Sequence, residues 1–273
     1  KSPVEIHSIV SHGVLPYYIL MAKSLQYFSQ INTLFVVHDD GSLTKGDYMF
    51  LNKQLPGVSV IPYVYSTRIM KKVLKKYPCL LSYRLRKHPN KINLISTIDI
   101  PYFTNSKHVF YIDGDILFFK KPKLLCDWLI HENKRTEIFY MKDHGNFYVL
   151  SEKKCREIFK VGYLDKFNMG ILCYPKKLLD LKSINEYFSL LEQLDRDDLM
   201  VRDQTYFMIH FQKQRQTVKV LNEKTYLVYG QGPVTKVIDK RRDDTVCCHY
   251  TFTVRDYIYK EAIIVLFRMN NLY

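Results

Sequence analysis

The stretch Val-Phe-Tyr-Ile-Asp-Gly-Asp-Ile-Leu-Phe-Phe at 109–119 decides the reading of this chain. Val109 to Ile112 is an unbroken apolar and aromatic run, the pattern of a strand buried on both faces. It stops at Asp113-Gly114-Asp115, and a second apolar run, Ile116 to Phe119, follows at once. Two carboxylates one residue apart repel each other, and burial raises the cost. A divalent cation removes both penalties. Hard oxygen ligands favour Mg²⁺ or Mn²⁺ bound together with substrate phosphates. An Asp-Gly surface turn is the plainer alternative, but apolar runs on both sides argue against it. Gly114 is expected to let the backbone turn tightly between the two acids.

Upstream, Ile6 to Val10 and Thr33 to Val37 read as buried strands, and Val58 to Val64 as a third. Leu15 to Phe28 and Lys45 to Leu55 between them read as helices. Strand, helix, strand, helix, strand at this spacing predicts an α/β fold with a mostly parallel sheet. Ligands of such sheets sit outside the carboxyl ends of the strands. Those ends are Ser11-His12, Asp39-Asp40 and the residues after Val64. Asp39 and Asp40 are placed to accept a uracil imide N–H or a ribose hydroxyl, Asp40 ahead of Asp39; a helix-capping turn is the alternative. Downstream come short strands at Ile138 to Met141 and Gly170 to Tyr174, helices at Leu178 to Leu194 and Gln204 to Gln212, and a late strand at Val246 to Phe252. His249 on that strand is the natural third metal ligand, although a lone His on an apolar strand is more often a hydrogen-bonded core residue. No internal repeat, low-complexity tract or linker divides the chain. One continuous domain over 1–273 is expected, with a nucleotide-binding half at 1–120 and an acceptor half at 121–273.

Composition sets the outer limits. With 273 residues, 47% hydrophobic and 25% charged, the chain has ample material for a core and disorder is excluded as its main state. No stretch reaches the roughly 20 apolar residues of a membrane-spanning helix, and the opening Lys1-Ser2-Pro3 carries no signal-peptide pattern. A first residue other than Met is what a piece of a longer protein would show. Cys79, Cys126, Cys155, Cys173, Cys247 and Cys248 have neither metal-ligand spacing nor the density of a disulfide framework, so a reducing, cytoplasmic setting is expected. The formal net charge of +14 invites an anionic partner. Between Arg68 and Lys91 there are nine Lys or Arg and no acid, and Lys71, Lys72, Lys75 and Lys76 recur at helical spacing. This is either a solvated basic helix or a face for peripheral docking on an anionic membrane or a phosphorylated acceptor.

Together these residues resemble the GT-A nucleotide-sugar glycosyltransferases. Val-His-Asp-Asp-Gly-Ser at 37–42 is similar to the Asp-Asp-Gly-Ser turn of inverting members, and Tyr-Ile-Asp-Gly-Asp-Ile-Leu-Phe-Phe at 111–119 to the metal-binding Asp-x-Asp segment. Phe-Asn-Met-Gly-Ile at 167–171 resembles the Phe-Asn-x-Gly segment of retaining, glycogenin- and galactosyltransferase-like members. Arg202-Asp203-Gln204 resembles a later Asp-Gln segment, and His249 the late metal-ligand His, here without the usual following Gly and Lys. The resemblance implies a Rossmann-like GT-A domain and a metal-dependent hexosyltransferase of glycan biosynthesis. It would use a UDP-sugar donor, Mn²⁺ or Mg²⁺, and a glycan, lipid-linked or protein acceptor. It implies metal ligands Asp113, Asp115 and His249, and donor contacts from Ser11, Asp39, Asp40, Lys91, Asp113, Gly114 and Arg255, with Arg84 and Lys260 as further cations for the diphosphate. Asp203, Asn168 and Gln204 are expected nearest the reacting carbon. The competing reading, a metal-dependent nucleic-acid-processing or nucleic-acid-binding protein, has only charge and the acidic pair behind it, and no nucleic-acid partner is expected.

Overall fold

The computed structural model describes residues 4–85, 94–131, 135–193, 202–214, 217–230, 243–251 and 254–270. β1 (Val4–Val10) leads to α1 (Leu15–Ser29), β2 (Thr33–Asp39), α2 (Lys45–Gln54) and β3 (Ser59–Ile61). Helices α3 (Tyr63–Val73) and α4 (Pro78–Leu85) follow, then a π-helical turn at Ile95–Asp99 running into α5 (Ile100–Phe103). β4 (His108–Ile112) and β5 (Ile116–Phe118) flank the acidic pair. The remainder is α6 (Lys123–Ile130), β6 (Ile138–Lys142), α7 (Glu152–Phe159), β7 (Phe167–Pro175), α8 (Leu181–Gln193), α9 (Arg202–Lys213), β8 (Val218–Val220), β9 (Tyr226–Tyr229), β10 (Cys247–Tyr250) and α10 (Tyr257–Asn270).

The central sheet has seven strands in the order β3-β2-β1-β4-β7-β6-β8. All neighbours are parallel except at β7, which runs antiparallel to both β4 and β6. The expected α/β, mostly parallel sheet is therefore present. Apolar layers cover both its faces. One gathers Met70, Leu80, Tyr83, Phe188, Phe207 and Phe211 from the helices of one side. The other gathers Tyr18, Leu25, Leu51, Leu125 and Trp128. This two-sided cover explains why β4 reads as a continuous apolar run from Val109 to Ile112 rather than an alternating one. A second, three-stranded sheet, β5-β10-β9, packs under α10.

Several boundaries differ from the expected ones. The strand expected over Val58 to Val64 is confined to Ser59–Ile61, because Pro62, at φ −63°, opens α3 instead. The basic run is likewise two pieces, α3 ending at Val73 and a single 3₁₀ turn at Leu74–Lys76. The late strand is shorter than expected, Cys247–Tyr250. α2 starts where its sequence says it should: Thr44 and Asp47 form a reciprocal capping box. No helix among the described residues is long and apolar enough to cross a membrane.

Candidate metal centre

Two strand pairings assemble the site. β10 runs antiparallel to β5 with His249 opposite Ile116, and the Tyr250 N–H donates to the Asp115 carbonyl at 2.9 Å. This register sets the imidazole beside the acids that precede β5. His249 Nε2 lies 3.1 Å from Asp115 Oδ1 and 3.5 Å from Asp113 Oδ2. Potential ligand atoms of the three residues all fall within 4.8 Å of one another. Asp115 and His249 are buried, whereas the Asp113 side chain is 31% exposed, which leaves one open side.

Electrostatics separate the two acids. Burial and the neighbouring Asp115 charge raise the pKa of Asp113 against the pull of His249. Burial also penalises Asp115, but His249 and Arg255 outweigh it and hold its pKa down. For His249, burial favours the neutral ring, and the carboxylates of Asp115, Asp113 and Asp143 reverse that and raise its pKa. Two oxygen donors and one imidazole nitrogen, two of the three buried and all converging, fit a divalent cation of the Mn²⁺ or Mg²⁺ type.

The surrounding shell is tightly specified. The Tyr111 hydroxyl donates to Asp113 Oδ1. The Asp113 N–H donates to the Gly170 carbonyl at 2.8 Å. A Cβ on Gly170 would lie 2.4 Å from His249 Nδ1, so only glycine lets β7 pass against the imidazole. The Asn168 side chain is engaged at both ends, accepting from the Gly170 N–H at 2.8 Å and donating to Asp143 Oδ2 at 2.8 Å. Gly114 has a different reason for being glycine than the expected turn. Its φ is not in the left-handed region, and a Cβ there would come within 2.7 Å of Val14 Cγ1 and 3.3 Å of Tyr18 Cβ on the first turns of α1.

Asp203, in the first turn of α9, is buried beside this cluster. Its Oδ2 accepts from the Ser96 hydroxyl at 3.1 Å and its Oδ1 from the Gln204 N–H at 2.8 Å. Burial, with the Asp113 charge adding, pushes its pKa up to about 7 despite those donors. The Gln204 amide nitrogen donates to the Phe147 carbonyl at 3.0 Å. Arg255 directs Nε and Nη2 at Asp115 Oδ2, both at 2.8 Å, and its guanidinium lies over the Tyr17 ring.

At the end of β2, Asp39 is committed within the chain. Its oxygens take Gly41 N (2.7 Å), Leu43 N (3.3 Å), the Tyr48 hydroxyl (2.8 Å) and Tyr63 N (3.2 Å). Among the described residues Asp40 accepts only from Ser42, N–H at 2.9 Å and hydroxyl at 2.5 Å, both through Oδ1. Ser11 opens the turn into α1, its carbonyl accepting from the Val14 and Leu15 N–H groups. Lys91 lies outside the described residues. Arg84 departs from expectation: it is fully buried, with Nε and Nη2 on Asp99 (2.9 and 2.7 Å) and Nη2 on Ser66 (3.1 Å), so it is not free for a diphosphate. Lys260 is an exposed residue of α10, its ammonium over the Tyr257 ring.

Asp143, Ser96 and Tyr111 were missed by the sequence reading. Asp143 had a signal. β2, β4 and β6 each carry an Asp at or just past the carboxyl end, namely Asp39, Asp113 and Asp143.

No protein-family model matches the sequence, and no curated protein matches it. Solved structures do match in fold. Mouse xyloside xylosyltransferase 1 in its apo form is 12% identical, with a TM-score of 0.58 over 92% of this chain and 99% of that one. The galactosyltransferase LgtC, bound to donor and acceptor sugar analogues, is 11% identical, with a TM-score of 0.55 over 95% of each chain. Core-mannan synthase A of Aspergillus fumigatus, in an Mn/GDP form, is 12% identical, with a TM-score of 0.51 over 81% of this chain and 73% of that one. The fold of this chain is the GT-A fold of these glycosyltransferases, and its Asp-x-Asp segment lies against His249.

Proposed function

We propose that this chain is a metal-dependent glycosyltransferase that moves a hexosyl group from a nucleotide-sugar, UDP-linked, to a hydroxyl of a glycan, lipid-linked or protein acceptor. The observation that carries the reading is the convergence of Asp113, Asp115 and His249 at the carboxyl edge of a GT-A sheet, open on the Asp113 side. These three residues hold the cation, Mn²⁺ ahead of Mg²⁺ because one donor is an imidazole. When bound, the cation offsets the negative charge that builds on the leaving diphosphate.

The chain's own groups do the rest. Residues 1–120 form the donor side. Asp40 receives the uracil imide N–H through Oδ2, the oxygen that Ser42 leaves unused. Ser11 and the backbone at Gly114 border the nucleotide, and Asp39 holds the loop in shape through its internal hydrogen bonds. Arg255 and Lys91 supply positive charge near the diphosphate. Residues 121–273 form the acceptor side. Asp203 is the carboxylate closest to the reacting carbon, and Gln204 orients the sugar or acceptor next to it. Asn168 acts by position, tying Asp143 to the Gly170 backbone that supports His249.

The deciding experiment is a screen of UDP-, GDP- and CMP-sugars for slow hydrolysis with Mn²⁺, Mg²⁺ or chelator, which needs no acceptor. Hydrolysis of a UDP-sugar that requires the cation and is lost in Asp115→Asn supports the reading. Equal rates with chelator, or a preference for single-stranded oligonucleotide over UDP in thermal stabilisation, would overturn it.

A further inference from the structure

The basic run after β3 is left unused by the donor site, and its structure is specific. Arg68, Lys71 and Lys72 on α3, with Lys75 and Lys76 on the turn that follows, are all exposed. None of the five pairs with an acid among the described residues. At the other end of α3, Val64 is 80% exposed and Tyr65 45% exposed. The patch does not stop there. The Tyr65 ring lies 6.0 Å from Phe103 of α5, and Phe103 lies 5.2 Å from Tyr102, itself 45% exposed. Arg68 stands over the Tyr65 ring at 5.7 Å, joining the aromatic end to the basic ridge.

We propose that this ridge, Arg68 to Lys76 with Val64, Tyr65 and Tyr102 at its tip, is a docking surface for an anionic lipid bilayer. Two features select a bilayer over a soluble polyanion. Exposed lysines with no acid partner among the described residues match a diffuse negative surface, which attracts each by about 1 kcal/mol at close range. Exposed aromatic and aliphatic side chains beside them match the headgroup boundary, where Tyr rings are favoured. The placement also has a direction. The first residue of α3, Tyr63, donates its N–H to Asp39 at the carboxyl edge of the sheet, so the apolar tip of the ridge adjoins the loop at 39–42. The inference stands on the surface alone and is independent of the donor reading.

The test is co-sedimentation with vesicles of phosphatidylcholine alone and with phosphatidylserine at about a third of the lipid, across a salt series. Binding is expected only to the anionic vesicles. It should fade as salt shortens the screening length toward about 8 Å at physiological ionic strength. The variant K71Q/K72Q/K75Q/K76Q should partition on the order of 1,000-fold more weakly. V64S/Y65S, which keeps every charge, should lose about tenfold, the scale of one apolar anchor. The control K53Q/K123Q/K153Q/K182Q removes four exposed lysines from other helices and should bind nearly as the wild type does. Melting temperatures of all three variants report that each is folded. Absence of wild-type binding at low salt overturns the proposal. So does a control variant as weak as the α3 variant, which would make the attraction one of net charge. So does full release by an equimolar oligonucleotide with V64S/Y65S unaffected, which would make the ridge a nucleic-acid face.

Discussion

Two buried acid–base clusters stand near each other in this molecule, and they are built to opposite ends. Arg84 and Asp99 are both fully buried, and two guanidinium nitrogens meet the two oxygens of one carboxylate. The charges match one to one, Ser66 takes a further hydrogen bond, and the Tyr63 ring lies 4.9 Å from the guanidinium. In the Asp113–Asp115–His249 cluster two carboxylates share one imidazole, Arg255 holds one oxygen of Asp115, a third acid at Asp203 lies nearby, and one side is open. A closed, matched pair fixes the fold around it. An open cluster of converging oxygen and nitrogen donors is a place for a cation to enter. Access, with Asp113 31% exposed and the Arg84–Asp99 pair fully enclosed, tells the two apart.

The comparison breaks most readily at the closed pair. Arg84→Met or Asp99→Leu alone should cost about 3–5 kcal/mol, because each leaves a buried charge without its partner, while the double variant should recover most of that loss. Urea unfolding of the two singles and the double measures it, and three equal losses would show that the pair is not the unit. Asp203 probes the other extreme, a buried carboxyl with no cation touching it among the described residues. Its pKa rises from 3.8 to about 7 on folding, so the unfolded chain releases its proton first as pH rises. Stability therefore falls between those two values and stays low above them. Asp203→Asn should be the more stable protein above pH 7, by up to about 4 kcal/mol for a shift of that size, with the advantage vanishing near pH 4. Melting curves of both proteins across that range check the sign.

Smaller effects sharpen the picture at the open cluster. Asp115→Asn keeps the shape and removes the ligand charge, so cation-dependent UDP binding should weaken by about 100-fold, read by calorimetry with and without Mn²⁺. Gly170→Ala should cost about 1–3 kcal/mol through overpacking and weaken cation affinity as well, since the new methyl group displaces His249. Asp40→Ala should raise the Kd for UDP about tenfold, the worth of one charge-assisted hydrogen bond. It should leave kcat at saturating donor nearly unchanged, because the base is far from the reacting carbon. A fall in kcat with unchanged Kd would move Asp40 out of the base pocket.

Much of the fold was legible because strand burial here is two-sided. β2 and β4 announce themselves as apolar runs, Leu34 to Val37 and Val109 to Ile112, and each ends at a polar turn. The acidic pair was legible for the same reason, as polar residues in an apolar context. What escaped depends on contacts between distant segments. Pro62 ends a strand and opens a helix, and the apolar residues on either side of it look alike. Arg84 is one of nine basic residues in its run, and only the packing of α4 against the π-helical turn marks it as buried. Gly114 and Gly170 are glycines because of what approaches them, Val14 and His249, and no local pattern carries that information. The antiparallel course of β7 was equally silent, because its residues, Phe167–Pro175, are buried throughout whichever way the strand runs.

The pairing of β10 with β5 has a consequence in time. During synthesis the acids at 113 and 115 emerge long before His249, and β5 lacks this neighbour until residues 247–250 have been made. Contacts this distant in sequence form late and slowly. A nascent or truncated chain thus carries an acidic pair without its imidazole, and acquires a complete cation site only when β10 docks. The site is therefore a product of late tertiary pairing, with its acids supplied by one segment and its imidazole by a strand more than 130 residues further on.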